Sequence, residues 1–245
     1  NWRACIVGFL INPFSVATPA SWEFEDDFTS YGTQGAANAV WVPVVTGTVT
    51  NAVDISNDYL KLVSPSSTSF YYGSNTRALT ATDDAAFVLR YKLHWISANQ
   101  AGGYSADYCT GLFNVNSSTA SNAAQDYIGV VSQVQAGVQK FVTAAGNNAS
   151  PVDGGNFKST FTSWTPTNGQ DNWIETIRTS STSFTVESFS DDTYETSVEA
   201  KSDSCDSTIT DLDFTGIKGG TGNANAAQSY YIDDVQFANG VTVAP

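Results

Sequence analysis

The segment AFVLRYKLHW, residues 86–95, alternates apolar and polar side chains over most of its length. Successive side chains of a β-strand point to opposite faces of its sheet, so the alternation separates two sets of residues. One set is apolar and consists of Phe87, Leu89, Tyr91, Leu93 and Trp95. The other set is mainly basic and consists of Val88, Arg90, Lys92 and His94. The segment therefore predicts a strand with one face in a hydrophobic core and the other face polar.

Shorter segments of similar character occur along most of the chain, and clusters of Gly, Asn, Asp and Ser separate them. No helical period lasts for three turns. The further strand candidates are residues 22–28, 40–50, 58–63, 69–72, 110–115, 126–134, 138–143, 172–179, 182–190, 194–199, 209–218 and 230–237. About a dozen strands without helices between them predict an all-β protein, folded as a two-sheet antiparallel sandwich.

The charge balance is strongly acidic, with 24 acidic residues against 10 lysines and arginines and a net charge of -14. Such a surface repels nucleic acids and anionic lipids, so we expect neither as a partner. Only 14% of the residues are charged and 13% are aromatic. This composition is common in secreted and particle-surface proteins, and it predicts an extracellular, cell-surface or virion-surface location. No stretch has the ~20 apolar residues of a membrane helix.

The first twenty residues, NWRACIVGFLINPFSVATPA, contain an apolar run and no acidic residue. Arg3 precedes the run as in a signal peptide, but Pro13 and Pro19 rule out one continuous helix. We divide the chain into an extended N-terminal arm, 1–20, and a β-sandwich domain, 21–245. An exposed arm of this kind would aggregate. It either packs on its own domain or inserts as an added strand into a neighbouring subunit of a homo-oligomer or larger assembly.

Three cysteines, Cys5, Cys109 and Cys205, are too few for a disulfide scaffold and lack the paired spacing of a zinc site. Small buried thiols are one interpretation, because free cysteine is commonly buried. A bridge between Cys109 and Cys205 is the other.

Several segments occur in the order found in concanavalin A-like jelly-roll modules. They are FEDDFTSYGTQGAANAVW (24–41), DYIGVV (126–131), DNWIETIRTSSTSFTVESFSDDTYETSV (171–198), LDFTGIKGG (212–220) and SYYIDDVQF (229–237). Over residues 22–240 the chain resembles this lectin/glucanase superfamily, which includes LamG-like modules. The resemblance implies a jelly-roll sandwich in which the first and last strands are neighbours.

The superfamily also contains hydrolases and lyases, but the catalytic patterns that the resemblance implies are missing. The hydrolases carry carboxylates in a Glu-x-Asp-x-Glu spacing, which places them on one strand face. Glu195 and Glu199 have Ser197 between them, and we interpret the pair as solvated charges. The Arg-x-Glu-x-Arg and Gln-x-His patterns of the lyases are also missing. We therefore expect a protein that is not an enzyme.

A ligand site is predicted on the basic face of the strand at 86–95. Arg90, Lys92 and His94 form a positive stripe in a protein with only ten lysines and arginines. With aromatic help from Tyr104, Tyr108 or Trp164, the stripe could bind acidic or neutral sugars. The alternative is that the three basic side chains pair with carboxylates of neighbouring strands, and that the aromatic residues belong to the core.

A metal site is predicted where the chain ends meet. Members of the superfamily often hold a structural Ca²⁺ between their first and last strands, and the resemblance makes four aspartates candidate ligands: Asp26, Asp27, Asp233 and Asp234. Carboxylate oxygens are the ligands that Ca²⁺ takes. The alternative is that these carboxylates accept hydrogen bonds from turn amides and from nearby arginine or lysine.

The sequence as a whole predicts a non-catalytic extracellular or virion-surface sandwich that serves assembly or attachment, through glycans or neighbouring subunits. A stand-alone carbohydrate-binding module is one alternative. A divergent polysaccharide hydrolase or lyase is the other.

Overall fold

The structure is a computed structural model that describes residues 21–46, 50–64, 71–80, 85–96, 105–116, 125–135, 138–149, 156–164, 169–221 and 228–245. These residues form fifteen strands and one helix. In chain order they are β1 (Phe24–Asp26), α1 (Gln34–Val40), β2 (Trp41–Thr46), β3 (Thr50–Asp54), β4 (Tyr59–Ser64), β5 (Tyr71–Ala78), β6 (Phe87–Ile96), β7 (Ser105–Phe113), β8 (Gln125–Gln135), β9 (Val138–Ala149), β10 (Phe157–Thr160), β11 (Asp171–Ser180), β12 (Ser183–Phe189), β13 (Ser197–Ser204), β14 (Phe214–Thr221) and β15 (Gln228–Asn239).

The strands form two antiparallel sheets. Sheet A has the order β13-β12-β11-β6-β15-β4-β3, and β1 also pairs with β15. Sheet B has the order β10-β9-β8-β7-β14-β5-β2. The predicted all-β, two-sheet architecture is confirmed. The N-terminal arm, 1–20, lies outside the described residues, and the helix that they include is too short to cross a bilayer.

The strand at 86–95 is β6, and it lies in the middle of sheet A between β11 and β15. Its apolar face enters the core between the sheets, where Leu89, Tyr91 and Leu93 are fully or almost fully buried. The side chain of Trp95 lies outside the described part of the chain. Val88 is also buried although it belongs to the opposite set. The apolar face that the alternation predicts is therefore the core face of this strand.

The helix α1 was not predicted. Thr33 begins it, because its side chain accepts a hydrogen bond from the backbone amide of Ala36 as an N-cap. The helix has only seven residues, and Ala37 is the side chain that it buries. Two turns are too short to give a helical period in the sequence, and packing of Ala37 rather than intrinsic propensity holds so short a helix in place.

The first and last described strands are neighbours as the resemblance implied, since β1 pairs with β15 from Phe24–Phe237 to Asp26–Val235. In β15 the pairing with β6 shifts by one residue between Asp233 and Gln236, and Asp234 has the left-handed φ of 49°. This is a β-bulge. It changes the phase of the strand, so that Ile232 and Val235 both face the core. The adjacent aspartates stand at the bulge, and this explains how both of them avoid the core.

Sheet B is buried on both faces near its centre. One face contributes Ile128, Val130 and Phe141 to the main core. On the other face a second apolar cluster contains Cys109, Phe113, Tyr127, Val131, Val142 and Ala144. Cys109 and Cys205 are both free thiols, so the predicted bridge between them is wrong. The alternative interpretation, small buried thiols, describes both.

Candidate functional site

The basic stripe on β6 is neutralised by the neighbouring strands. Arg90 Nε donates to Glu175 Oε2 on β11 over 2.6 Å, and Lys92 Nζ lies 2.7 Å from Asp233 Oδ2 on β15. His94 Nδ1 is hydrogen-bonded to Asp171 Oδ1. Cross-strand pairs of this kind stabilise a sheet. The stripe was predicted to bind acidic or neutral sugars, but all three side chains instead pair with carboxylates of the neighbouring strands, as the alternative interpretation expected.

The predicted aromatic platform is not available either. Tyr108 is fully buried and stacks on Tyr230 with 5.2 Å between ring centroids. Trp164 is 4% exposed, stacks on Phe141, and donates from Nε1 to Asn172 Oδ1 over 2.7 Å. Both residues belong to the core, so their prediction as sugar-binding residues is wrong. Tyr104 lies outside the described residues.

Asp26 is a buried carboxylate that ties sheet A to sheet B. Its Oδ2 accepts from Tyr31 Oη at 2.6 Å, from Trp41 Nε1 at 2.8 Å and from Arg77 Nη1 at 3.1 Å. Its Oδ1 accepts from the backbone amide of Phe28 at 3.0 Å. Trp41 begins β2 and Arg77 lies in β5, so one side chain of β1 is bonded to two strands of the other sheet.

The other three predicted ligands are also held by protein donors. Asp27 accepts from the amide and hydroxyl of Thr29, and Asp233 and Asp234 lie 2.7 and 3.6 Å from Lys92 Nζ. Burial raises the pKa of Asp233 more than the hydrogen bond from Lys92 lowers it. The described residues hold no group of three or more His, Cys, Asp or Glu side chains placed to bind a metal. The four aspartates therefore do not fit a shared Ca²⁺ site, and calcium binding stays a prediction.

A cleft of about 680 Å³ lies beside these aspartates. It is lined by Glu25, Asp26, Asp27, Ser30, Tyr31, Val40, Arg77, Trp173, Asp192, Tyr194, Asp234 and Gln236. Its walls come from the end of β1 and the turn that follows it, from α1, β5, β11 and β15, and from the connection between β12 and β13. Trp173 is partly exposed and lies opposite Lys92 in the register of β11 and β6.

The connection between β12 and β13 places Tyr194 in one of these walls. Asp191 accepts hydrogen bonds from the amides of Thr193 and Glu195, and Tyr194 has the left-handed φ of 56°. A bulky residue in this conformation is uncommon. The ring of Tyr194 is held by the Arg90 guanidinium, 4.1 Å from its centroid, and by the edge of Phe189. The tertiary contacts therefore fix the strained residue against the cleft.

Both tyrosines of the cleft keep their protons at neutral pH. Burial raises the pKa of Tyr31, and the hydrogen bond to Asp26 raises it further. Burial likewise raises the pKa of Tyr194, and the nearby Arg90 only partly opposes this. The pKa of Asp27 is lowered by its hydrogen bonds to Thr29. The cleft thus offers carboxylates as hydrogen-bond acceptors, whereas the phenolic proton of Tyr31 is already donated to Asp26.

Sequence reasoning missed the cleft and one carboxylate beyond it. In β11 the side chain of Trp173 alternates with the core residue Ile174 and lies on the same face as Glu175. Tyr194 lies in the acidic turn DDTYET. Both are signals of exposed aromatic residues. Glu199 was interpreted as solvated, but it accepts from the backbone amides of residues 162–164 and pairs with Lys201 at 2.7 Å. The interpretation of Glu199 as a solvated charge is therefore wrong, whereas Glu195 is exposed as expected.

No protein-family model and no curated protein matches the chain. Solved structures do match it. Lectin II from Ulex europaeus is 16% identical, with 89% of this chain and 99% of that chain covered and a TM-score of 0.53. The carbohydrate recognition domain of Emp46p, in its metal-free form, is 10% identical, with 90% and 99% covered and a TM-score of 0.53. An endo-β-1,4-glucuronan lyase from the fungus Trichoderma reesei is 12% identical, with 89% and 96% covered and a TM-score of 0.52.

At these identities the likeness concerns the fold. The chain has the concanavalin A-like jelly-roll fold that the sequence resemblance predicted. Sugar-binding proteins and a lyase share that fold, so the assignment of a function depends on the residues of this chain.

Proposed function

We propose that the protein is a non-catalytic extracellular or particle-surface sandwich that attaches to glycans through the cleft beside Asp26. The observation that carries the proposal is the composition of the cleft, which combines partly exposed aromatic side chains with hydrogen-bonding groups in about 680 Å³. Ligand pockets typically enclose ~300–1,000 Å³ and place a few polar groups among apolar walls. This volume suits a short oligosaccharide.

The aromatic residues supply the surface on which a sugar would lie. Sugar rings carry a face of C–H groups, and aromatic side chains offer a large apolar surface together with a polar tip. Trp173, Tyr31 and Tyr194 line the cleft from different walls. Gln236 and Ser30 add uncharged groups that can bond to ring hydroxyls. Binding of a polyhydroxylated ring therefore follows from the same residues that form the walls.

A non-catalytic role is supported by the protonation of these groups. A general acid in glycoside hydrolysis needs a carboxyl group with a raised pKa, and a lyase needs a base that has lost its proton. The lowered pKa of Asp27 does not suit a general acid, and the raised pKa of Tyr31 and Tyr194 does not suit a base. His94 does not line the cleft and is bonded to Asp171.

Calorimetric titration with neutral gluco-, galacto- and manno-oligosaccharides tests the proposal. Trp173→Ala should weaken the binding of any ligand about tenfold, because it removes the largest ring of the cleft. Tyr59→Ala is the matched control, since Tyr59 makes an edge-to-face contact with Tyr231 elsewhere on sheet A and does not line the cleft. Equal effects of the two variants, or no binding of any sugar, would refute the proposal. New reducing ends or unsaturated uronates in the titrated samples would show an enzyme instead.

A further inference from the structure

The cleft carries a concentrated negative charge. Five carboxylates line it, from Glu25, Asp26, Asp27, Asp192 and Asp234, against the single guanidinium of Arg77. Arg77 lies 3.1 Å from Asp26, so this pair is neutral. Four carboxylates then remain. Their charge is added to that of a protein whose net charge is already -14.

The contacts of these four carboxylates do not remove their charge. Glu25 accepts from the amide of Gln236 and Asp27 accepts from Thr29, and both donors are neutral. Asp234 lies 3.6 Å from Lys92, but that ammonium group is 2.7 Å from Asp233 and is mainly engaged there. The Asp234 side chain is also 49% exposed. A ligand in the cleft therefore meets carboxylates that still lack a close cation.

A second observation comes from the Tyr194 hydroxyl. It is buried and has no hydrogen-bond partner within the described residues, although its side chain lines the cleft. After burial itself, the charges of Asp234, Glu175 and Asp192 contribute to the raised pKa of this hydroxyl, against the effect of Arg90. The hydroxyl is thus a protonated, unsatisfied donor in a negative field at the wall of the cleft.

From the charge, the aromatic walls and the unsatisfied hydroxyl together, we infer that the cleft selects sugars that carry a free amine, of the glucosamine type, and rejects uronates. The inference rests on the proposed function and names its ligand class. A ring ammonium group would lie among the carboxylates of Asp192 and Asp234, while the ring packs against Trp173. A uronate would bring its own carboxylate into the same negative field, and like charges placed together are strongly unfavourable.

The test compares four oligosaccharides of equal length: a glucosamine oligomer, its N-acetylated form, a neutral glucose oligomer and an oligoglucuronate. Titrations are run at pH 6, where the glucosamine amines are largely protonated. The glucosamine oligomer should bind roughly tenfold more tightly than its N-acetylated form. That difference should shrink at 0.5 M salt, because salt screens exposed charges. The oligoglucuronate should not bind.

A double variant, Asp192→Asn with Asp234→Asn, should abolish the preference for the glucosamine oligomer over its N-acetylated form. The matched control is Asp206→Asn with Asp213→Asn, which removes the same charge from exposed side chains that do not line the cleft. This control should retain the preference. An equal loss in both double variants would mean that net charge alone attracts the amines, and this would overturn the inference.

The outcomes separate the inference from the proposed function. Binding of the neutral oligomer with no preference for the amine would overturn the inference and leave glycan attachment intact. Binding of none of the four sugars would overturn both. A lysine oligopeptide that binds more tightly than the glucosamine oligomer would overturn the inference, because the cleft would then select the amine without the sugar ring.

Discussion

Replacing Asp26 with Asn should destabilise the fold far more than the same change at the adjacent Asp27. The two side chains are isosteric with their replacements, so the comparison isolates charge and hydrogen bonding. Asp26 is 5% exposed at its side chain and binds four donors, three of them on Oδ2. Asp27 is exposed, and among the described residues its carboxylate accepts hydrogen bonds from Thr29.

An asparagine at position 26 would have to turn an NH₂ group toward one of the two donor sets. It would face either the backbone amide of Phe28 or the three donors from Tyr31, Trp41 and Arg77. Donor would then meet donor, and the Arg77 guanidinium would lose its counter-ion. Removing one partner of a buried ion pair costs about 3–5 kcal/mol. For a chain of this size that corresponds to a decrease of about 6–20 °C in the melting temperature.

Thermal and urea unfolding followed by circular dichroism measure the effect. Asp27→Asn should cost about 0.5 kcal/mol or less, as is usual for exposed substitutions. An unchanged slope of the urea transition would show that the native state remains compact. Similar melting temperatures for the two variants would refute the argument, since they would mean that the Asp26 contacts do not hold the sheets together.

Two buried charges, the four aspartates and the N-terminal arm each give a further prediction. Burial lowers the pKa of Lys218 to about 7, against 10.5 for an ordinary lysine, so the unfolded state binds more protons between these two pH values. The free energy of unfolding should therefore rise with pH from about 7 to 10.5. Lys218→Met should abolish this part of the rise, and the control Lys158→Met should retain it. Desolvation would raise the pKa of Glu199, but hydrogen bonds from Lys201 and three backbone amides hold this pKa at about 2. The free energy of unfolding should therefore fall as the pH decreases from 4.5 toward 2, and it should fall less in Glu199→Gln. If Ca²⁺ binds as the sequence predicted, the melting temperature should be higher in millimolar Ca²⁺ than in EDTA. Coinciding curves would refute that prediction, as expected if protein donors satisfy Asp26, Asp27 and Asp233. If the arm joins subunits, deletion of residues 1–20 should lower the mass measured by light scattering and leave the melting temperature unchanged. An unchanged mass with a lower melting temperature would instead mean that the arm packs on its own domain.

The last strand shows which structural features can be recognised from neighbouring residues in the sequence. In β15 the apolar positions are 230 and 232 and then 235 and 237, which is a change of phase that a one-residue bulge produces. The aspartates at 233 and 234 mark the place of that bulge. The same kind of pattern gave the core face of β6. The bulge was not predicted, although its signal lies in residues next to one another in the chain, whereas the core face of β6 was predicted from the same kind of signal.

The partners of the polar residues depended on the tertiary structure. Arg90 meets Glu175 across 85 positions of sequence, and Arg77 meets Asp26 across 51. Alternation placed Arg90 on the polar face but could not show which carboxylate of which strand lies beside it. The cleft is a product of the same long-range pairing, since its walls come from β1 at one end of the chain and from β11 and the turn after β12.

The same limit explains the errors over Tyr108 and Trp164. An aromatic residue in a strand has the same local pattern whether the opposite sheet or solvent covers it, and Tyr108 is buried because Tyr230 of sheet A stacks on it. The sequence by itself determined the all-β class and the core face of β6, because side-chain alternation is a property of a single strand. Strand order, ion-pair partners and the cleft were decided by the tertiary structure alone, because they depend on which distant strands become neighbours.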